Sequence, residues 1–498
     1  MRSSGLVVVA VLASIACGSR HREPPPPSPA PGAGTATAPV DTATLLTDAQ
    51  ISALIANHRQ DAWYSLYMAD RHAGWAHVEM RPSAATEPAG YTVAAHARIE
   101  LASPDGPRFV EMTETSSYAT APPFALIEKR QTETSDSGVT ERVYRARPDH
   151  LELISTDDGE AAPPRRLPAT AETLVSQILS SATPPTVRAG QRTTYAQFDD
   201  EDEADQQVTA TVISVGDEVI AGVKVPVVTV ETLDEGDSVP TRIRTADGVA
   251  LAITLGPGLR LELADRARAQ STIEQLSMMD TSVALDRRLG DLGDRDTLTL
   301  VIGGIDGVVL PTSPTQTDEV LPDRRRRVTV RRGPGAMVTP AERAQGLAPT
   351  AQYDATHPAI VALAKQIVAG AADDRERTER IVMWVYDNLR KDLSTSLATA
   401  SQVLDRKHGD CTEHTLLVVA LLRAAGIPAR DVGGLMYEDT TGRFYWHAWA
   451  QAAIEDRWVA VDGAWGQPVA DVGHLAFDVN GRGNGGTAMG SITIAVAP

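Results

Sequence analysis

The chain has 498 residues, 42% of them apolar, and a formal net charge of −19 at pH 7. Its length points to two or three domains, and its apolar content is enough to bury a core in each. The negative charge argues against nucleic acid as the main partner, because phosphate binding needs a basic footprint.

Residues 1–17 read as an export signal. Arg2 supplies a positive start, Leu6 to Ile15 form a short apolar run, and Ala16-Cys17 closes it. The run is too short to span a bilayer. A cysteine at the cleavage point resembles a bacterial lipobox, with Ser14 where a larger aliphatic residue is preferred. That resemblance implies lipidation of Cys17 and a membrane-anchored protein of the cell envelope. The alternative is a plain secretory signal with an incidental cysteine. Residues 18–44 are a Pro/Ala-rich tether, with Pro24 to Pro27 in a row, a composition that cannot bury a core. Leu45 to His58 reads as a short amphipathic helix.

Residues 45–275 read as a β-rich domain. Trp63–Tyr67 and Gly74–Val78 form a predicted hairpin. Alternation continues through Tyr91–Leu101, Arg142–Ile154, Val208–Val215, Val223–Glu231 and Val249–Leu263. Gly216-Asp217 and Asp247-Gly248 are read as turns. Leu174, Val175, Ile178 and Leu179 fall at helical spacing. The acidic run Asp199 to Asp205 reads as a solvated loop. Residues 276–338 are a smaller strand-rich segment and linker. Its basic run, Arg324 to Arg327 with Arg331 and Arg332, reads as the exposed face and edge of a strand before a linker or as a docking patch for an anionic surface.

Residues 339–498 change to helices, with His357–Ala369 and Asp374–Leu389 apolar at helical spacing. Then Gly409-Asp410-Cys411-Thr412-Glu413-His414 leads into an apolar run that stops at Gly426-Ile427-Pro428. The predicted helix starts near Cys411 and is apolar on nearly all faces, so it should be central and buried. Its N-terminus would aim N–H groups and the positive dipole end at the sulfur. This predicts a thiolate of lowered pKa and part of an oxyanion hole. With Cys17 lipidated, Cys411 has no disulfide partner in the chain, and an unpaired exported thiol suggests reactivity.

Phe444–Ile454 and Arg457–Gly463 read as strands joined by Glu455-Asp456. A two-residue loop puts Ile454 opposite Arg457 and Trp449 opposite Asp462. His447 is then a diagonal neighbour of Asp462, within reach of a hydrogen bond. Such a carboxylate fixes the imidazole tautomer and stabilises the imidazolium.

These motifs, together with Ala-Leu-Leu-Arg-Ala-Ala-Gly-Ile-Pro-Ala-Arg, Trp-His-Ala-Trp and Trp-Val-Ala-Val-Asp, resemble the bacterial transglutaminase-like superfamily. The resemblance covers roughly the last third of the chain and extends to Gly466-Gln467 and Gly473-His474-Leu475. It implies an α+β fold: a papain-like core with a central helix packed on an antiparallel sheet, preceded here by the β-rich region. It implies Cys411 as nucleophile, His447 as base and Asp462 as orienting acid. Asp410, Glu413, His414 and Trp449 would form the surrounding layer. Gly463 departs from the proline common after that aspartate.

The expected function is cysteine-dependent acyl transfer on amide bonds of a protein or peptide, as peptidase, amidase or transglutaminase. The expectation involves no cofactor and no metal, and a lipid on Cys17 as the membrane contact. The rival from another class is a non-catalytic peptide- or envelope-binding module. A zinc site of Cys411, His414 and His447 would lack a fourth ligand.

Overall fold

A computed structural model describes residues 60–497 apart from 85–89, 104–105, 136–137, 175–186, 201–202, 221, 236–239, 257, 276–277, 351, 392–398 and 481–484. The signal, Cys17, the tether and the 45–58 helix lie outside the described residues, as does most of the helix expected around Leu174. The chain divides into two compact units between Leu276 and Ser277.

The first unit is a 15-stranded antiparallel meander. The strands pair with their neighbours in sequence except Arg165–Leu167, which pairs with Leu151–Asp157, and the first, Gln60–Met68, also pairs with Leu259–Ala264, with Trp63 opposite Ala264. Alternation explains the core: Tyr64, Leu66, Ala76, Ala97, Ile99 and Leu261 are all buried. The two edges of the sheet meet through side chains. Arg165 forks onto Glu203 at 2.7 and 2.6 Å. The rings of Tyr144 and Phe198 meet edge-on at 5.3 Å.

Several expectations for this unit need correction. Gly216-Asp217 lies inside the strand Ala204–Ile220 rather than in a turn. The strands Gly106–Tyr118 and Leu126–Ser135 were not predicted. Their inner positions carry Glu114, Lys129, Gln131 and Glu133, which hide the apolar alternation; Lys129 Nζ lies 3.5 Å from both Glu114 and Asp200. The acidic run is therefore no simple solvated loop: Asp199 is buried, Asp200 faces Lys129, and Asp205 accepts from Thr170 Oγ1 at 2.6 Å.

The second unit has a 6-stranded sheet in the order Pro334–Met337, Arg457–Val461, Arg443–Ile454, Ala429–Glu438 and His474–Val479, with Val283–Ala284 also pairing Arg443–Ile454. A 4-stranded sheet joins Gln316–Val320, Arg326–Arg331, Thr297–Gly303 and the C-terminal Thr493–Val496. The compositional boundary at residue 339 therefore falls inside a compact unit. Val283–Ala284 and Pro334–Met337 are too short to register as strands by pattern, yet they continue the sheet that carries His447 and Asp462. The basic run is also accounted for: Arg324, Arg325, Arg326 and Arg327 pair with Asp306, Asp323, Asp318 and Glu319.

At the centre stands the helix Cys411–Ala424, whose residues Leu416 to Leu422 are all buried. The helices Pro358–Ile367, Asp374–Asn388 and Ala400–Arg406 and the sheet surround it, with Ile360, Ile381, Val385, Val403, Ala450 and Val461 in one core cluster. A helix apolar all round must be enclosed on all sides, as this one is.

Candidate active site

Cys411 is the first residue of the central helix and is half-buried. The turn before it is rigid for local reasons. Asp410 is the N-cap: its Oδ1 accepts from Thr412 N at 2.7 Å, and Glu413 Oε2 accepts from Asp410 N at 2.9 Å. This reciprocal capping box fixes the sulfur at the helix entrance. Gly409 is required because a Cβ there would meet Glu413 Cβ at 2.4 Å. His414 is buried on the next turn. Its Nδ1 donates to Asp410 O at 2.6 Å, and burial holds its pKa below the ordinary value.

The partner residues come from the hairpin. Ile454 stands opposite Arg457 and Ala450 opposite Val461. Glu455 and Asp456 both have positive φ, 52° and 59°, as a tight two-residue loop with the twist of its strands requires. The ladder carries His447 to Asp462: Nε2 lies 2.7 Å from Oδ2. An ionised carboxylate only accepts, so the proton sits on Nε2, which leaves Nδ1 as the basic nitrogen. The Ala448 backbone acts to lower the Cys411 pKa, which puts the strand that carries His447 beside the sulfur.

Asp462 is completely buried and accepts four hydrogen bonds. Its Oδ1 takes Ala464 N at 2.7 Å and Trp465 N at 3.1 Å; its Oδ2 takes His447 Nε2 at 2.7 Å and His474 Nε2 at 3.1 Å. Burial works against the charge, but the two imidazoles hold this carboxyl well below the usual range. Gly463 belongs here for a packing reason. A Cβ would meet Val418 Cγ2 at 2.5 Å, so the central helix fills the space that a proline ring would need.

His474 was anticipated only as part of a resembling tail, with no role. It is buried, and its Nδ1 lies 3.1 Å from Asp471 Oδ1 while Nε2 faces Asp462. Both nitrogens therefore face acceptors, which requires the imidazolium. Burial opposes the charge, yet Asp462 and Asp471 raise the pKa to about 9. Its strand reaches the site from across the sheet through Ala429–Glu438, a pairing that local spacing does not contain. Trp449 stacks at 16° on His447 and meets His474 edge-on at 5.1 Å, walling both imidazoles. Ligating atoms of His447, Asp462 and His474 converge within 4.8 Å, a different grouping from the zinc set of Cys411, His414 and His447.

The thiolate expectation needs correction. Burial pushes the Cys411 thiol well above its ordinary pKa, and the carboxylates of Asp410, Glu413 and Asp462 add to this; the Ala448 backbone opposes it. Alkylation of Cys411 by iodoacetamide should therefore be slow at pH 6 and still be rising above pH ~8.5, the free-thiol value. A fast plateau already at pH 6 would show a resting thiolate instead.

The second unit is thus an α+β domain with a cysteine-led helix against a sheet carrying a His–Asp pair. Residues 361–463 match the Transglutaminase-like superfamily, so this unit carries a transglutaminase-like domain. Among solved structures, one similar chain is a protein of Cytophaga hutchinsonii assigned provisionally to the cysteine proteases: 17% identity over 40% of this chain and 82% of that one, TM-score 0.27. Another is the periplasmic domain of TgpA from Pseudomonas aeruginosa, crystallised with ethylmercury: 17% identity over 37% of this chain and 83% of that one, TM-score 0.25. A third is a β-barrel-like protein from Brucella abortus: 15% identity over 42% of this chain and 99% of that one, TM-score 0.28. No curated protein matches the chain significantly.

Proposed function

We propose that the second unit catalyses acyl transfer from an amide through Cys411, His447 and Asp462. The observation that carries this reading is a thiol on the first residue of the central helix, packed against the strand whose His447 bonds Asp462 at 2.7 Å. His447 Nδ1 takes the thiol proton as Sγ attacks the carbonyl carbon. The Cys411 N–H stands at the helix entrance as a donor to the developing oxyanion, since Asp410 caps the N–H groups that follow. The C–N bond then breaks, His447 returns the proton to the leaving amine, and a thioester remains on Cys411. Water resolving that thioester makes the protein a peptidase or amidase; a second amine makes it a transglutaminase. A raised thiol pKa suits this cycle, because the base removes the proton only when a carbonyl is in place.

The export signal ending in Cys17 would put this chemistry in the cell envelope, on protein or peptide substrates. Among the described residues no helix is long and apolar enough to cross a membrane. Trapping tests the reaction. Protein incubated with envelope peptides and quenched in acid should carry an acyl mass on the peptide containing Cys411, absent in Cys411→Ala. If no adduct forms while labelled peptide still binds, the non-catalytic binding module takes over.

A further inference from the structure

We propose that Lys391, Trp465 and Tyr386 form a subsite that binds a carboxylate of the acyl donor, close to the scissile carbonyl. The proposal rests on the reading of Cys411 as nucleophile and names the substrate class for it.

Lys391 is held by a short parallel pairing in which it stands opposite Gly409, two residues before Cys411. Trp465 follows Asp462 by three residues and donates its own N–H to Asp462 Oδ1. The subsite thus touches both ends of the reacting constellation. The Lys391 ammonium lies 4.2 Å from the Trp465 ring centroid and 5.6 Å from that of Tyr386. Tyr386 in turn lies flat on Gly466, where a Cβ would come within 2.9 Å of its ring. Both rings remain in water, Trp465 at 41% and Tyr386 at 42% exposure. In a chain with only 4% aromatic residues, two exposed rings beside a reacting centre form a platform of their own.

The local charges indicate the ligand. Asp410 and Glu413 are taken up by the helix entrance, and Asp462 by two imidazoles and two backbone N–H groups. Among the described residues Lys391 forms no ion pair. Its pKa is lowered by burial, with Asp462 opposing. The ring faces beneath it are only a partial counterion, so three N–H donors remain for a negative group. The carboxylates around Cys411 would repel an anionic substrate, and an ammonium at the entrance offsets that repulsion. The subsite therefore fits an acyl donor with a free carboxylate a few bonds from the amide, whether a glutamyl or aspartyl side chain or the α-carboxylate of a side-chain-linked acidic residue. Its methylenes would lie on the indole.

Nitrophenyl esters test this without the natural substrate. The para-nitrophenyl α- and γ-esters of N-acetylglutamate are each compared with the carboxamide isostere. Acylation releases nitrophenolate in a burst as the thioester forms on Cys411. We expect at least one carboxylate ester to react about fivefold faster than its isostere, the upper range for a partly exposed ion pair. The ratio should fall toward one as salt is raised, fall to one in Lys391→Gln, and persist in Lys391→Arg. Equal rates for both pairs in the wild type, or a ratio that survives Lys391→Gln, overturn the subsite. A burst that persists in Cys411→Ala, or is absent with every ester, overturns the nucleophile reading instead. In that case N-acetylglutamate and N-acetylglutamine are titrated into Cys411→Ala and followed by the Trp465 indole N–H resonance. No preference for the glutamate there overturns the subsite as well.

Discussion

Asp462→Asn should lower ester acylation and turnover by on the order of 10⁴-fold, as expected when an orienting carboxylate becomes an amide. The asparagine can offer its N–H to His447 Nε2 and so select the tautomer that protonates Nδ1, the nitrogen needed as base. The site makes the change worse than a tautomer error. As His447 takes the thiol proton, it becomes a second cation beside the His474 imidazolium, with only Asp462 Oδ2 between them at 2.7 and 3.1 Å. Without that charge the transition state holds two facing cations in a buried place. Folding should suffer too, by roughly 3–5 kcal/mol, the usual effect of leaving one buried ion unpaired. Burst acylation and denaturant unfolding measure the two effects. A kinetic loss of only a few-fold would move the orienting role elsewhere, with Asp471 the next carboxylate in reach of His474.

Stability of the second unit should fall as pH rises from about 6.5 to 9. His474 has a folded pKa raised to about 9 by Asp462 and Asp471 against the pull of burial. A group raised in this way stabilises fully below its unfolded value of about 6.5, and the contribution disappears as pH climbs through the folded value. The span corresponds to about 3 kcal/mol. Asp462 and Asp471, both depressed, act on the other side: their contribution is present above the unfolded carboxylate value of about 3.9 and is lost as pH drops. Urea unfolding at a series of pH values should show the alkaline decline, and His474→Gln should flatten it. An unchanged slope in that variant would mean that His474 is neutral in the folded protein.

The parts of the site legible in the sequence are those set by short-range geometry. The apolar run from Cys411 to the Gly426-Ile427-Pro428 stop outlines the central helix, and the two-residue loop at Glu455-Asp456 fixes the register that brings His447 to Asp462. His474 escaped because its strand reaches Asp462 through an intervening strand, a relation that depends on sheet order. The direction of the thiol's pKa escaped because the helix dipole was weighed without the burial of the sulfur, to which the carboxylates of Asp410, Glu413 and Asp462 add. In the first unit, strands with apolar inner faces were visible. Gly106–Tyr118 and Leu126–Ser135 were not, because their inward positions hold charges that neutralise one another across the sheet. The same limit hid Val283–Ala284 and Pro334–Met337: a strand of two or four residues has no periodicity to read.

The pairing of Gln60–Met68 with Leu259–Ala264 has a mechanical consequence. These strands are antiparallel, and Trp63 and Ala264 stand side by side. Past Ala264 the chain turns back: Glu274 donates its N–H to His72 O at 2.7 Å, and His72 stands opposite Tyr67 near the far end of the first strand. Entry at Gln60 and exit after Glu274 therefore lie at opposite ends of Gln60–Met68. Tension between them pulls along that strand and loads its hydrogen bonds together, so the first unit resists as a sheared sheet does.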